Sequence, residues 1–212
     1  MTKNPNTPKV NTLSPPADRQ AAHRRTITLD GYARDDGAYD IEAELIDTKA
    51  HSFPSRAHGE IKKGQPLHHM RVRVTVTEEM EIIAAEAVTI AGPYHECPQG
   101  AHAIANLVGE TIRPGWKKIT ARAIGGVQGC THITELMGPV ATVAFQTIYG
   151  ERAKRARQDA AQNPEANAAP QIPSAQIPGP QISGLLNSCH ALAEGRQAAF
   201  WNWGIPLQDE AE

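Results

Sequence analysis

Cys130 and His132 stand two residues apart, after the glycine-rich run Gly125-Gly126-Val127-Gln128-Gly129 and just ahead of an apolar helical pattern. Ile133, Leu136, Met137, Val140, Ala144 and Ile148 recur at helical spacing, so the pair occupies a loop-to-helix corner. A thiol there feels the positive end of the helix dipole, which favours the thiolate that binds metals or attacks electrophiles. Glu135, one turn further on, can act as a partner of the histidine or a general base, and equally as a surface acid that complements the dipole. Two chemistries are open to this corner. One is metal ligation; the other is a small enzyme with Cys130 as nucleophile, His132 as base and Glu135 orienting the imidazole. Residues two apart seldom have nucleophile–base geometry, which ranks the enzyme second.

Further donors lie elsewhere in the chain. Cys97 precedes Pro98, and Pro favours the first helical position, so Cys97 is predicted at a helix start. His68 and His69 open a strand pattern, where they alternate across the strand, so at most one of them faces a given site. Thiolates with imidazoles are the ligand set of zinc, and of iron in non-haem or cluster form. His68, Cys97, Cys130 and His132 are the ligands this reading selects. Blander roles compete for each: free cysteine often fills a core, and His132 can cap its helix. Cys189 falls on the apolar side of a predicted tail helix and reads as a packing residue. The glycine run lacks the Lys-Ser/Thr of a P-loop, so it reads as tight turns, and no cofactor-binding motif is expected.

The elements that must position these residues follow from periodicity. Thr26–Leu29 is a short strand pattern, with turn signals at Asp30-Gly31 and Asp36-Gly37. Tyr39, Ile41, Ala43 and Leu45 alternate with Asp40, Glu42 and Glu44 as a half-buried strand, and residues 50–65 read as a surface loop. Met70, Val72, Val74 and Val76 alternate with polar residues, and Ile82–Ile90 returns antiparallel. Helices are predicted after Cys97, over Trp116–Ile124, and from Thr131, the last kinked or restarted at Pro139. Asp36, Asp47, Arg34 and Lys49 can line a polar pocket, but turn chemistry and a solvated strand face explain them as well.

The chain has 212 residues, net charge −2 and 40% apolar residues, enough for one domain with extensions and without a bulk pull toward nucleic acid or anionic membrane. Three widely spaced cysteines make no disulfide framework, and no apolar run is long enough to span a bilayer, so a cytoplasmic location is expected. The expected organisation is a disordered leader over 1–22, a core domain over 23–150, a basic then Pro/Gln/Ala-rich linker over 151–183, and an amphipathic tail helix with an aromatic end over 184–212. Residues 184–203 are a candidate docking peptide for a protein client.

Residues from about His23 to Gly150 resemble the bacterial DUF2889 family, a domain of unknown function. The pieces that carry the likeness are Gly31-Tyr32-Ala33-Arg34-Asp35-Asp36-Gly37, Asp47-Thr48-Lys49, Gly64-Gln65-Pro66-Leu67-His68, Pro93 with Cys97, Gly115-Trp116 and Gly129-Cys130-Thr131-His132. The order of strands, cysteines and helices is also similar to NifU-type iron–sulfur scaffold proteins. That likeness implies ligands at His68, Cys97 and Cys130, with His132 following its cysteine where the family's histidine precedes it. The first ligand is His in place of Cys, which points to zinc or mononuclear iron ahead of a transferable iron–sulfur cluster. The fold expected is α+β: an antiparallel sheet of three or more strands packed with about three helices, NifU-scaffold-like. The function expected is a cytosolic metal-binding domain engaged in metal or iron–sulfur handling. The Cys130 enzyme and an adaptor working through its C-terminal tail are the alternatives.

Overall fold

The computed structural model of the chain describes residues 13–162, 186 and 189–196. Its centre is an antiparallel sheet of four strands, β1 (His23–Ala33), β2 (Tyr39–Lys49), β5 (Pro66–Val76) and β6 (Ile82–Ala91), in the order β1-β2-β5-β6. A two-stranded hairpin, β3 (Phe53–Ser55) with β4 (Gly59–Ile61), is inserted between β2 and β5. A 3-10 helix, Cys97–Leu107, follows the sheet, and then come α1 (Trp116–Ile124) and α2 (Thr131–Gln162). The α+β architecture and the antiparallel pairing match the expectation from periodicity.

Alternation in β2 and β5 sorts side chains to two faces. Tyr39, Ile41, Ala43, Leu45, Met70, Val72 and Val74 are buried beneath the helices. Every apolar position foreseen in α2, from Ile133 to Ile148, is buried against them. The other face is polar, with Arg73 bonded to Glu42 and Glu86 across three strands. Trp116 anchors α1 to α2 by donating its indole N–H to the Met137 carbonyl at 2.8 Å, a buried bond.

Two local expectations are corrected, and one pair of alternatives is narrowed. Asp30-Gly31 is not a turn: β1 runs straight through it, and Gly31 pairs with Ile41. The glycine is there because α2 crosses β1 at that point, and a Cβ on Gly31 would collide with the Thr147 hydroxyl. Residues 50–65 are not an unstructured loop, since Phe53, Pro54 and Ser55 pair with Ile61, Glu60 and Gly59. Three-residue strands are too short for any periodicity to betray them. Of the two alternatives at Pro139, the restart is ruled out: α2 is continuous from Thr131 to Gln162 with Pro139 inside it.

Although composition changes around Gly150, α2 continues beyond it. Arg152 and Arg155 both bond Glu78 at the β5–β6 connection, at 2.6 and 2.7 Å, and Arg155 also donates to the Tyr39 hydroxyl. These guanidinium groups tie the end of the helix to the sheet. Cys189 is exposed and leads into a 3-10 turn, His190–Leu192, so it is not a packing residue. The first twelve residues of the leader, the Pro-rich linker beyond Gln162 and most of the expected tail helix, including Phe200, Trp201 and Trp203, lie outside the described residues. Among the described residues no helix is long and apolar enough to cross a membrane.

Candidate metal centre

Asp47 occupies the buried parity of β2, continuing the series Tyr39, Ile41, Ala43 and Leu45, and is 1% exposed. A carboxylate in that position must be hydrogen-bonded or paired, because burying it bare costs many kcal/mol. Its register partner in β1 is Arg25, which holds it in a two-pronged fork, Nε to Oδ1 and Nη2 to Oδ2, both at 2.8 Å. Oδ1 also meets His23 Nε2 at 3.2 Å, and Oδ2 meets His68 Nδ1 at 3.0 Å. A carboxylate has about four acceptor sites, and all of them are in use.

His132 enters from α2. Its ring lies on that of His68, centroids 3.9 Å apart at 34°, and its Nε2 is 3.9 Å from Asp47 Oδ2. Single donor atoms of Asp47, His68 and His132 all lie within 4.8 Å of one another, the one such group among the described residues. Behind His132, Cys130 Sγ sits 3.8 Å from Nδ1, a thiol–imidazole contact. Cys130 closes the start of α2, its carbonyl accepting both the backbone N–H and the hydroxyl of Thr134. Gly129 lets that corner close, since a Cβ there would meet the Ile124 carbonyl and Ala103.

Electrostatics favour neutral imidazoles beside an ionised acid. Bonding to Arg25 holds the Asp47 carboxyl at about 2, against the opposing effect of burial. Burial pushes His68 below the ordinary imidazole value, and repulsion from His132 adds to this, outweighing its bond to Asp47. Burial, then the positive charge of Arg25, pushes His132 down as well. The His68–Asp47 contact therefore has the geometry of an ion pair but is a neutral imidazole N–H donating to a carboxylate. The bonded cluster contains Asp47 and Glu135 against one guanidinium, because Glu135 takes Arg25 Nη1 at 2.6 Å. Its net charge is one negative.

Of the residues expected from sequence, His68, Cys130 and His132 are brought together. Cys97 is not part of the converging group: its side chain rests on Gly92, where a Cβ would lie 2.6 Å from Cys97 Cβ. Neither thiol belongs to the group of donors within 4.8 Å of one another. His69 points the other way and bonds Glu44 at 2.8 Å, as alternation requires. Glu135 serves Arg25 and makes no bond to His132. Arg34 pairs with Asp36 and Asp40 in the first hairpin, away from Asp47. Sequence reasoning missed Asp47 as the hub, and with it Arg25 and His23. The signal was present: an acid on the apolar parity of an alternating strand.

Residues 23–146 match the family model described as "Protein of unknown function (DUF2889)", and the chain belongs to that family. No curated protein and no solved structure matches it.

Proposed function

We propose that this DUF2889 family member is a divalent-metal protein whose ion, zinc or ferrous iron, is held by His68, His132 and Asp47. The observation that supports the reading is the convergence of two neutral imidazoles on one buried carboxylate. Tetrahedral ligands about 2.0–2.1 Å from zinc stand roughly 3.3 Å apart. The observed separations from Asp47 Oδ2, 3.0 Å to His68 Nδ1 and 3.9 Å to His132 Nε2, bracket that figure. An ion entering here would take the Oδ2 site that His68 now fills, with the imidazole in its other tautomer, its one ring proton on Nε2 and Nδ1 free to ligate. The second Arg25 prong keeps the carboxylate oriented. Three protein ligands leave a coordination position open, as in catalytic sites, whereas structural zinc is closed by four. Two imidazoles and a carboxylate also suit mononuclear ferrous iron, and without thiolate in the donor group an iron–sulfur cluster is disfavoured. Three free thiols fit a reducing, cytoplasmic setting.

Elemental analysis of untagged, anaerobically purified protein, with an absorption spectrum, tests this. Near-stoichiometric zinc or iron should disappear in His68→Ala and His132→Ala and persist in Cys97→Ala and Cys130→Ala. Folded wild-type protein that carries no metal and binds none on titration with zinc or ferrous iron would sink the reading.

The Cys130–His132 contact supports a second reading, a thiol enzyme. Cys130, His132 and Asp47 stand in a row, with separations of 3.8 and 3.9 Å. The second of these is too long for a hydrogen bond, which ranks this reading below the metal centre. Selective alkylation of Cys130 near neutral pH, slowed in His132→Ala, would bring it forward.

A further inference from the structure

β1 is an edge of the main sheet, and all of its residues but Leu29 are exposed. Among the described residues no strand pairs with its outer side. A bare edge recruits other chains, so proteins blunt their edges with lysine, proline, bulges or short strands. β1 carries none of these: it is 11 residues long, has no Lys or Pro, and keeps an unbroken register with β2. The opposite edge is treated differently. At the start of β6 the Ile82 N–H donates to the Glu110 carbonyl, and the Gly109 N–H donates to the Ile82 carbonyl.

In an antiparallel ladder, alternate residues turn both backbone groups to the same neighbour. At one end of the β1–β2 pair the Ala50 N–H donates to the Ala22 carbonyl, and at the other the Arg34 N–H donates to the Ala38 carbonyl. Ala22 and Arg34 are both even-numbered, so the even residues of β1 bond β2. His23, Arg25, Ile27, Leu29 and Gly31 therefore turn their N–H and C=O outward. Side chains follow the same alternation. Arg25, Ile27 and Leu29 share the helix side with their partners Asp47, Leu45 and Ala43, whereas Arg24, Thr26, Thr28 and Asp30 stand on the open face. Arg24 and Asp30 have no side-chain ion pair or hydrogen bond among the described residues. They lie about 20 Å apart along the extended strand, too far to meet within one chain.

We infer that β1 is a dimer interface, pairing antiparallel with β1 of a second copy about a two-fold axis at Ile27. Outward-facing residues must meet outward-facing residues, and this register pairs Ile27 with Ile27, Arg25 with Leu29 and His23 with Gly31. It also sets Arg24 opposite Asp30 of the partner subunit, twice by symmetry. Both are non-hydrogen-bonded pairs, where Cα atoms are about 4.5 Å apart and side chains come closest. The next registers that keep the parity have the axis at Thr26 or Thr28. They place Arg24 against Thr28 or Tyr32 and forfeit both ion pairs. Five outward residues per chain give about ten main-chain bonds, as many as a specific interface usually carries. On the helix side α2 packs over β1 and β2 alike. The two-fold lays it about 10 Å from its copy, an ordinary distance for packed helices. Leu29 of the partner subunit falls opposite Arg25, 35% exposed in the single chain, and shields the Asp47 cluster.

The test is analytical ultracentrifugation of the full chain over a range of concentrations, with circular dichroism to check folding. Wild type is compared with Ile27→Pro, Arg24→Asp and the swap Arg24→Asp/Asp30→Arg. Proline at position 27 removes only an outward N–H, so the ladder with β2 is kept while the bonds across the axis are lost. The expected result is a reversible wild-type dimer and a folded, monomeric Ile27→Pro. The dissociation constant should rise at least tenfold in Arg24→Asp, where like charges face each other twice, and return to within threefold of wild type in the swap. A wild type that stays monomeric, or a dimer that survives Ile27→Pro, overturns the interface. A swap that fails to restore the dimer overturns the register. Should Ile27→Pro lose its fold, weakening by Arg24→Asp with recovery in the swap upholds the interface by itself.

Discussion

Replacing Asp47 by Asn tests the centre where it is most exacting. The shape is kept, but one acceptor oxygen becomes an NH2 donor that faces either Arg25 Nε and His23 or Arg25 Nη2 and His68, all of them donors. The magnitude can be approached in two ways. A carboxyl held at about 2 in the folded protein, against 3.8 when free, contributes about 2 kcal/mol of stability at neutral pH. Breaking a buried charge pair by removing one partner costs about 3–5 kcal/mol. Arg25 lies below that range, because it is partly exposed and keeps Glu135. The two approaches meet at a loss of about 2–3 kcal/mol. The pH dependence has a fixed sign. The folded value is depressed, so the contribution is complete above 3.8 and is lost as pH falls toward 2. Urea unfolding in EDTA should therefore show Asp47→Asn less stable than wild type by that amount at pH 7, with the gap closing below about pH 4. A gap under about 1 kcal/mol at pH 7, or one unchanged in acid, would refute the assignment of Asp47 as the hub. Repeating the pH 7 experiment with zinc at a hundredfold excess over its dissociation constant should add about 2.7 kcal/mol to wild type and nothing to the variant.

Other outcomes follow from the same geometry. Cys130→Ala should keep its metal, because Sγ touches the His132 nitrogen remote from Asp47; loss of metal would return the thiol to the ligand set. Metal affinity should be flat near pH 7 and fall only in acid, since burial holds His68 and His132 below the ordinary imidazole value and protons compete only beneath their lowered values. A zinc competition titration at several pH values reads this directly, and affinity that falls steeply above pH 7 would contradict it. Gly31→Ala should destabilise the fold by about 1–3 kcal/mol through overpacking on Thr147, and thermal melts of Gly31→Ala/Thr147→Ala should recover part of the loss. Trp116→Phe leaves the Met137 carbonyl without its donor and should cost about 1–2 kcal/mol in the same assay.

Local chemistry by itself determined much of this protein. The period-2 alternation of β2 and β5, the β-rich return over Ile82–Ile90 and the helical spacing from Ile133 to Ile148 pointed to the α+β class, and the periodic segments also marked their buried faces, because period decides which side of a strand or helix is apolar. The glycine corner placed Cys130 at the start of α2, and alternation separated His68 from His69. What only the tertiary structure decided was which donors meet. Asp47 and Arg25 are 22 residues apart and His132 is far beyond both, so their convergence depends on strand register and on where α2 crosses β1. Spacing carries no record of either. Cys97 shows the same limit from the other side: its residue type and helix-start position suit a ligand, yet packing sets it against Gly92. The sequence marks which residues can do chemistry locally, whereas a site assembled from three elements is a property of how those elements pack.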